Sequence, residues 1–298
     1  MTTVCGIRTH HWTEEEERAL AALEPVFGDD LYAVIDTRRG VPKTPVATVT
    51  LDNDWLKERG LATLPDWGWR CGDYALYALY EANPDADFFW LIEPDVYFSG
   101  GPARAFEVFA QADHDVLAVH YGKPMRPGRF SRGLPEGMAP IEGQFGLVRF
   151  SNAAVKYLFE ARKEYCKIRN SGRFFTNDEC FCFSYLSAQT DFTGADLKDV
   201  YPDGFERSNF TRDPDIFFDA LEGTAPVGSV WHPVRSKEAF IKGLAKRIAG
   251  ASGFIRRMGP SLSHLSTEDH IAIADAAKAQ LLDAMSASAA SAKGEKNA

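Results

Sequence analysis

Two carboxylates stand one proline apart in the run DADFFWLIEPDVYFSGG, where five apolar residues, Phe88–Ile92, stop at Glu93-Pro94-Asp95. In extended chain, residues two apart point the same way, and Pro94 stiffens the spacing between them. Paired oxygens facing one point are how a hard divalent cation is held, with substrate phosphates completing its shell. The plainer reading is a surface turn, since Glu-Pro-Asp followed by Ser-Gly-Gly is ordinary turn chemistry. The position of the pair, after a buried strand and before a helix, favours the metal-binding reading.

Other residues could join such a pair. RCGDY puts Arg70 and Asp73 at the start of a helix, where backbone N–H groups favour anions and a guanidinium suits phosphate. Asp73 could bond a ribose or a base; helix capping is its alternative role. Asp178 and Glu179 open the helix of NDECFCFSYL. General-base work needs one well-placed carboxylate, although acids in a first turn also suit the helix dipole. Trp67 and Trp69 could stack a base or a sugar ring, with core packing as the default. The run Lys123–Arg132, KPMRPGRFSR, is a basic loop that could close over a charged ligand.

The elements that must position these residues read as an alternating α/β chain. VCGIRTH (Val4–His10), DLYAVIDT and VATVTL are strands, and Thr13 caps a helix with acids in its first turn. The helix around Tyr74–Tyr80 is apolar on most sides and is expected to be buried. It leads into Phe88–Ile92, and a helix from Pro102 to about Gln111 follows. DVLAVHYG and GQFGLVRFS are strands around a long Pro-, Gly- and Arg-rich loop from Lys123 to Glu142. Ser151 caps a helix to about Ile168, and Thr176 or Asn177 caps another to about Ser187. Strands alternating with helices imply crossover units and a mainly parallel sheet, whose ligands bind beyond the carboxyl ends of the strands.

WLIEPDVYFSG, preceded by WGWRCGDYALYALYEANPDADFF, resembles the acidic-motif region of GT-A-type glycosyltransferases. The resemblance is strongest to a poorly characterised group of glycosyltransferase-like proteins with a similar Gly-Asp-Tyr helix and Trp-x-Ile-Glu-x-Asp-Val strand. It covers Trp67–Gly101 closely and is compatible in order out to Arg235. It implies a GT-A-like, Rossmann-like sheet and transfer of a sugar from a nucleotide-diphosphate donor to a hydroxyl on a saccharide or lipid-linked acceptor, in surface polysaccharide or glycolipid synthesis. It further implies that Glu93 and Asp95 hold Mn or Mg. This chain has Glu-Pro-Asp where the family has Asp-x-Asp, and some relatives dispense with the metal in favour of basic side chains. By the same resemblance Arg8, Thr9 and His10 contact the nucleotide, Asp178 or Glu179 is the base, and His232 and Arg235 reach the metal or diphosphate. A solvated turn for the first trio, and a satisfied core histidine for His232, are the alternatives.

Composition sets limits. The 298 residues are 45% hydrophobic with net charge -9, which argues against general nucleic-acid binding. No run approaches the roughly eighteen apolar residues of a membrane span. No signal peptide is expected, and the five cysteines are expected as reduced thiols of a cytosolic protein. The division expected is a catalytic domain over 1–236, a basic and amphipathic helical appendage over 237–284 and a disordered tail over 285–298. The basic run 237–257 could touch an anionic membrane surface, a solvated helix face being the preferred reading. Two rival functions share the fold. A nucleotidyltransferase would carry a Gly-rich phosphate loop after the first strand, which GIRTHHWTEEEE lacks. A non-catalytic nucleotide- or glycan-binding protein would bind without turnover.

Overall fold

The computed structural model describes residues 1–126, 128–169, 174–206, 210, 216–250 and 259–294. They form two compact units. The first comprises Met1–Phe210 and Pro226–Trp231, the second Thr211–Ala225 and His232–Ala298.

The first unit opens with β1 (Thr3–Thr9), α1 (Glu14–Phe27), β2 (Leu31–Asp36), β3 (Ala47–Leu51), α2 (Asn53–Glu58), α3 (Trp67–Arg70), α4 (Asp73–Ala82) and β4 (Phe88–Ile92). There follow β5 (Tyr97–Phe98), α5 (Ala103–Ala110), β6 (Val116–Pro124), β7 (Ile141–Ser151), α6 (Asn152–Ile168), α7 (Asp178–Ser187), β8 (Gly194–Asp196), α8 (Leu197–Val200) and α9 (Pro202–Phe205). The central sheet has the order β3-β2-β1-β4-β7-β6-β8. Its pairings are parallel except those of β7, which runs against both β4 and β6. The sheet is therefore mainly parallel, as the alternation of strands and helices implies, with one reversed strand. The long loop after Lys123 is the connection of a β6–β7 hairpin, because Lys123 already pairs with Glu142 and Pro124 with Ile141.

Both faces of the sheet are buried, which is why its strands read as continuous apolar runs. Along β4, Phe89 and Leu91 pack with α4, α6 and α7 on one face. Trp90 and Ile92 pack with α1 and α5 on the other. The helix starts are set by side chains. Thr13 and Glu16 form a capping box on α1, Ser151 caps α6, and the Asn177 side chain caps α7. Gly6 leaves room for the side chains packed over β1: a Cβ there would fall 2.7 Å from Val34 Cγ2 and 3.0 Å from Leu79 Cδ2.

The second unit begins with β9 (Ile216–Phe217) and α10 (Phe218–Leu221). The chain then returns to the first unit for β10 (Val230–Trp231), which pairs with β5. The second unit resumes with β11 (Val234–Arg235), α11 (Lys237–Gly250), α12 (Gly259–Leu262) and α13 (Thr267–Gly294). Its core joins Phe217, Phe240, Leu244, Leu265 and Ile273, and Lys237 Nζ meets Asp269 Oδ1 at 3.0 Å. Ser266 caps α13, donating to Asp269 Oδ2 and accepting from the Asp269 N–H. The Ala- and Ser-rich run 285–294 continues this helix, as a high alanine content favours. Residues 295–298 of the tail, and 251–258 of the basic run with its potential membrane contact, lie outside the described residues. Among the described residues no helix is long and apolar enough to cross a membrane.

Candidate active site

β1, β2 and β4 are parallel neighbours, so their carboxyl ends open on one edge of the sheet. β4 delivers Glu93 there: its N–H is held by Gly146 O at 2.8 Å, and its carbonyl accepts from Val96 in a tight turn. Asp95 is buried at 4% exposure. One carboxylate oxygen of Glu93 and one of Asp95 lie within 4.8 Å of each other. The pair thus offers two oxygens to one small volume, the donor set a hard cation takes.

Arg8, from the end of β1, makes an ion pair with Glu93 and turns its Nη1 towards Asp178 Oδ2 at 3.6 Å. One guanidinium therefore joins the acidic motif after β4 to the first carboxylate of α7. Asp178 is held in place by two backbone donors, the Gly72 N–H to Oδ2 (2.6 Å) and the Glu179 N–H to Oδ1 (2.8 Å). Burial pushes the Asp178 carboxyl up to about 7; Arg8 pulls it down, while Glu179 and Asp73 push it further up. A carboxyl titrating near neutrality is suited to accept a proton. Gly72 roofs this arrangement. A Cβ at 72 would fall 1.8 Å from Arg8 Nη1 and 2.6 Å from Asp178 Oδ2, so a side chain there would displace both.

Other candidates are committed to neighbouring roles. The Asp73 carboxylate is buried, accepting from Arg162 Nε (2.6 Å) and from the Tyr77 hydroxyl (3.0 Å). Arg162 also donates to Thr176 O at 3.1 Å and lies 3.6 Å from the Phe181 ring centroid. The pair ties α4 and α6 to the segment that leads into Asp178, so Asp73 supports the site from behind. Arg70 ends α3, ahead of α4, and its buried side chain meets Asp66 Oδ2 at 2.6 Å. Thr9 donates to Glu16 Oε1 (2.7 Å), which places its hydroxyl in the α1 cap. His10 is exposed, its ring centroid 4.3 Å from that of His11. Burial, then His11 and Arg39, lower its pKa from the ordinary histidine value. Arg235 pairs with Phe217 in the second unit. His232, also of the second unit, is the residue directly after Trp231, whose strand partner is Tyr97.

The sequence reading missed Gly72 as a cradle, and it missed the end of β2. There Arg38 forks onto Asp36, with Nη2 to Oδ2 at 2.5 Å, and its guanidinium lies 4.0 Å from the Trp67 ring centroid. Gly68 presses on both partners, since a Cβ would fall 2.5 Å from each. Asp36 ends a buried strand beside β1, as Glu93 ends β4, and that position is the signal that could have found it.

No family model and no curated protein matches the chain. Solved structures similar to it include the apo form of mouse xyloside xylosyltransferase 1, at 9% identity over 77% of this chain and 97% of that one, with a TM-score of 0.42. Another is a glycosyltransferase involved in the glycosylation of the major capsid of PBCV-1, at 12% identity over 77% and 93% of the two chains, with a TM-score of 0.38. Function has to come from the site, because one fold hosts many chemistries. By its own topology, a seven-stranded, mostly parallel sheet flanked by helices on both faces, the chain has a GT-A-like, Rossmann-type α/β fold.

Proposed function

We propose that this protein is a glycosyltransferase that moves a sugar from a nucleoside-diphosphate donor to an acceptor hydroxyl. The observation that carries the reading is the convergence of Glu93, Arg8 and Asp178 at one sheet edge, with Asp95 beside Glu93. Glu93 and Asp95 would hold a divalent cation, Mn or Mg. Bound there, the ion would neutralise charge on the leaving diphosphate. Arg8 is the cation already within reach of both carboxylates. Moving from Glu93 to the diphosphate, it would stabilise the charge that develops as the glycosidic bond breaks. His10 and the Asp36–Arg38 fork line the strand ends that would receive the nucleoside. Asp178 would take the proton of the acceptor hydroxyl as that oxygen attacks the sugar.

A thermal-shift screen against UDP, GDP, CMP and CDP, each with and without Mn, tests the reading, because a ligand that binds only the native state raises its melting temperature. A shift with one nucleoside diphosphate that needs Mn is the expected result. A shift independent of Mn moves the diphosphate contacts onto the arginines. Silence with all of them, together with no hydrolysis of nucleotide sugars, overturns the transferase reading.

A further inference from the structure

Trp69 and Trp67 lie two residues apart in α3 and have opposite environments: Trp67 is 2% exposed and Trp69 is 66% exposed. The exposed indole stands on the short stretch that leads to Gly72 and its bond to Asp178. Its neighbour is Phe130, from the β6–β7 connection, with ring centroids 5.8 Å apart and planes tilted by 59°. The guanidinium of Arg129 lies 5.5 Å from the Phe130 centroid.

The connection is anchored beside the site. Gly133 is pressed so close to the chain before α7 that a Cβ would fall 2.1 Å from Phe174 O and 2.5 Å from Thr176 Oγ1. One end of this loop thus adjoins the segment that carries Asp178, and Phe130 meets the segment that carries Gly72. In a chain of net charge -9, residues 125–134 carry Arg126, Arg129 and Arg132 and no acid. All three arginines are exposed. Among the described residues none of them pairs with a carboxylate, whereas Lys123, just before, is taken by Asp196 at 3.4 Å.

An exposed indole beside a half-buried phenyl ring, with three guanidinium groups that meet no carboxylate among the described residues, matches one ligand chemistry. The C–H face of a pyranose ring packs on indole and phenyl rings, and carboxylate or phosphate substituents suit the arginine fork. We propose that Trp69, Phe130, Arg126, Arg129 and Arg132 form the acceptor subsite, and that the acceptor is an anionic saccharide. The identification as acceptor rests on the transferase reading; the saccharide-binding surface is testable without it.

The probe is an oligogalacturonate, compared with a malto-oligosaccharide of equal length, each titrated calorimetrically into the full chain. Oligogalacturonate should bind and the neutral oligosaccharide should not. Trp69→Ala, a truncation at an exposed position, should weaken binding about tenfold, as should the double variant Arg129→Gln/Arg132→Gln. Absence of binding by oligogalacturonate, or equal binding of the neutral oligosaccharide, overturns the proposal. So does loss in the arginine variant with no change in Trp69→Ala, which would mark a patch that binds any polyanion. The nucleoside-diphosphate screen is independent of these titrations. Glycan binding with neither a nucleotide shift nor hydrolysis of nucleotide sugars would leave this surface standing and remove the transferase reading, and the reverse pattern would do the opposite.

Discussion

Two arginine–carboxylate clusters lie behind the same helix start, and they differ in what surrounds them. Arg162 and Asp73 are wholly buried, with 0% side-chain exposure on both partners. Burial works against the charge of Arg162, and Asp73 together with Tyr77, Cys71 and Tyr74 outweighs it. Arg8, with 16% exposure, sits between Glu93 at 24% and Asp178 at 5%. The first cluster has no route to solvent, and its partners come from α4, α6 and the Thr176 segment. The second has two acids for one arginine and an open side. The buried cluster can only hold its parts in place, whereas the edge cluster can exchange Arg8 between partners. Stability should therefore follow the first and activity the second.

Asp178→Asn gives the largest expected effect, a fall of about 10²–10⁴-fold in kcat with the fold retained. Initial rates of sugar transfer alongside a melting curve check both halves. Asp95→Asn should likewise remove transfer and leave the fold intact; unchanged activity would end the metal role of the acidic motif.

Arg162→Met comes next and should lower stability by about 3–5 kcal/mol, because it leaves Asp73 buried without its cation. Urea denaturation reads this directly. Arg8→Met makes the comparison sharp. Asp178, titrating near neutrality, can take up a proton when its cation is removed, so the loss in stability should be well below that of Arg162→Met. Equal losses from the two variants would erase the distinction between the clusters. Gly72→Ala should behave as an edge variant, losing transfer through the displaced Arg8 and Asp178 side chains.

The sequence carried the parts of this picture that are local. The apolar run of β4 and its end at Glu93 are visible because a strand buried on both faces must be continuously apolar. The caps at Thr13, Ser151 and Asn177 follow from one side chain and its nearest backbone donors. The reversed direction of β7 was not legible, since GQFGLVRFS is equally apolar in either direction. The partner choices were not legible either. Arg8 meets Glu93 across 85 residues, Arg162 meets Asp73 across 89, and Gly72 meets Asp178 across 106. Residue type gave a charge to the arginines and acids among these positions; topology decided which arginine faces the core and which faces the edge. RCGDY illustrates the point. Its arginine and aspartate looked like the ligand-binding residues, while its glycine is the one that touches Arg8 and Asp178.

The smallest expected effect, and the most direct probe of the edge cluster, is a pH dependence. If Asp178 is the base, as proposed, it must be deprotonated to act, so kcat/KM should fall as pH drops below about 7. Arg8 is the group that pulls that carboxyl down, so residual activity in Arg8→Met should show its acid limb at higher pH. Stability carries the opposite sign. The folded pKa is raised above the ordinary carboxylate value of 3.8. The native state therefore binds more protons than the unfolded chain between about pH 4 and pH 7. The stabilisation from protonated Asp178 is fully present below that window and is lost as pH rises through it. Asp178→Asn removes this contribution, so the stability difference between variant and wild type should grow in the variant's favour from pH 4 to 7 and level off above. Melting temperatures at matched ionic strength measure that difference. A difference that stays flat across the window would place the Asp178 carboxyl in the ordinary range and remove it as the neutral-pH base.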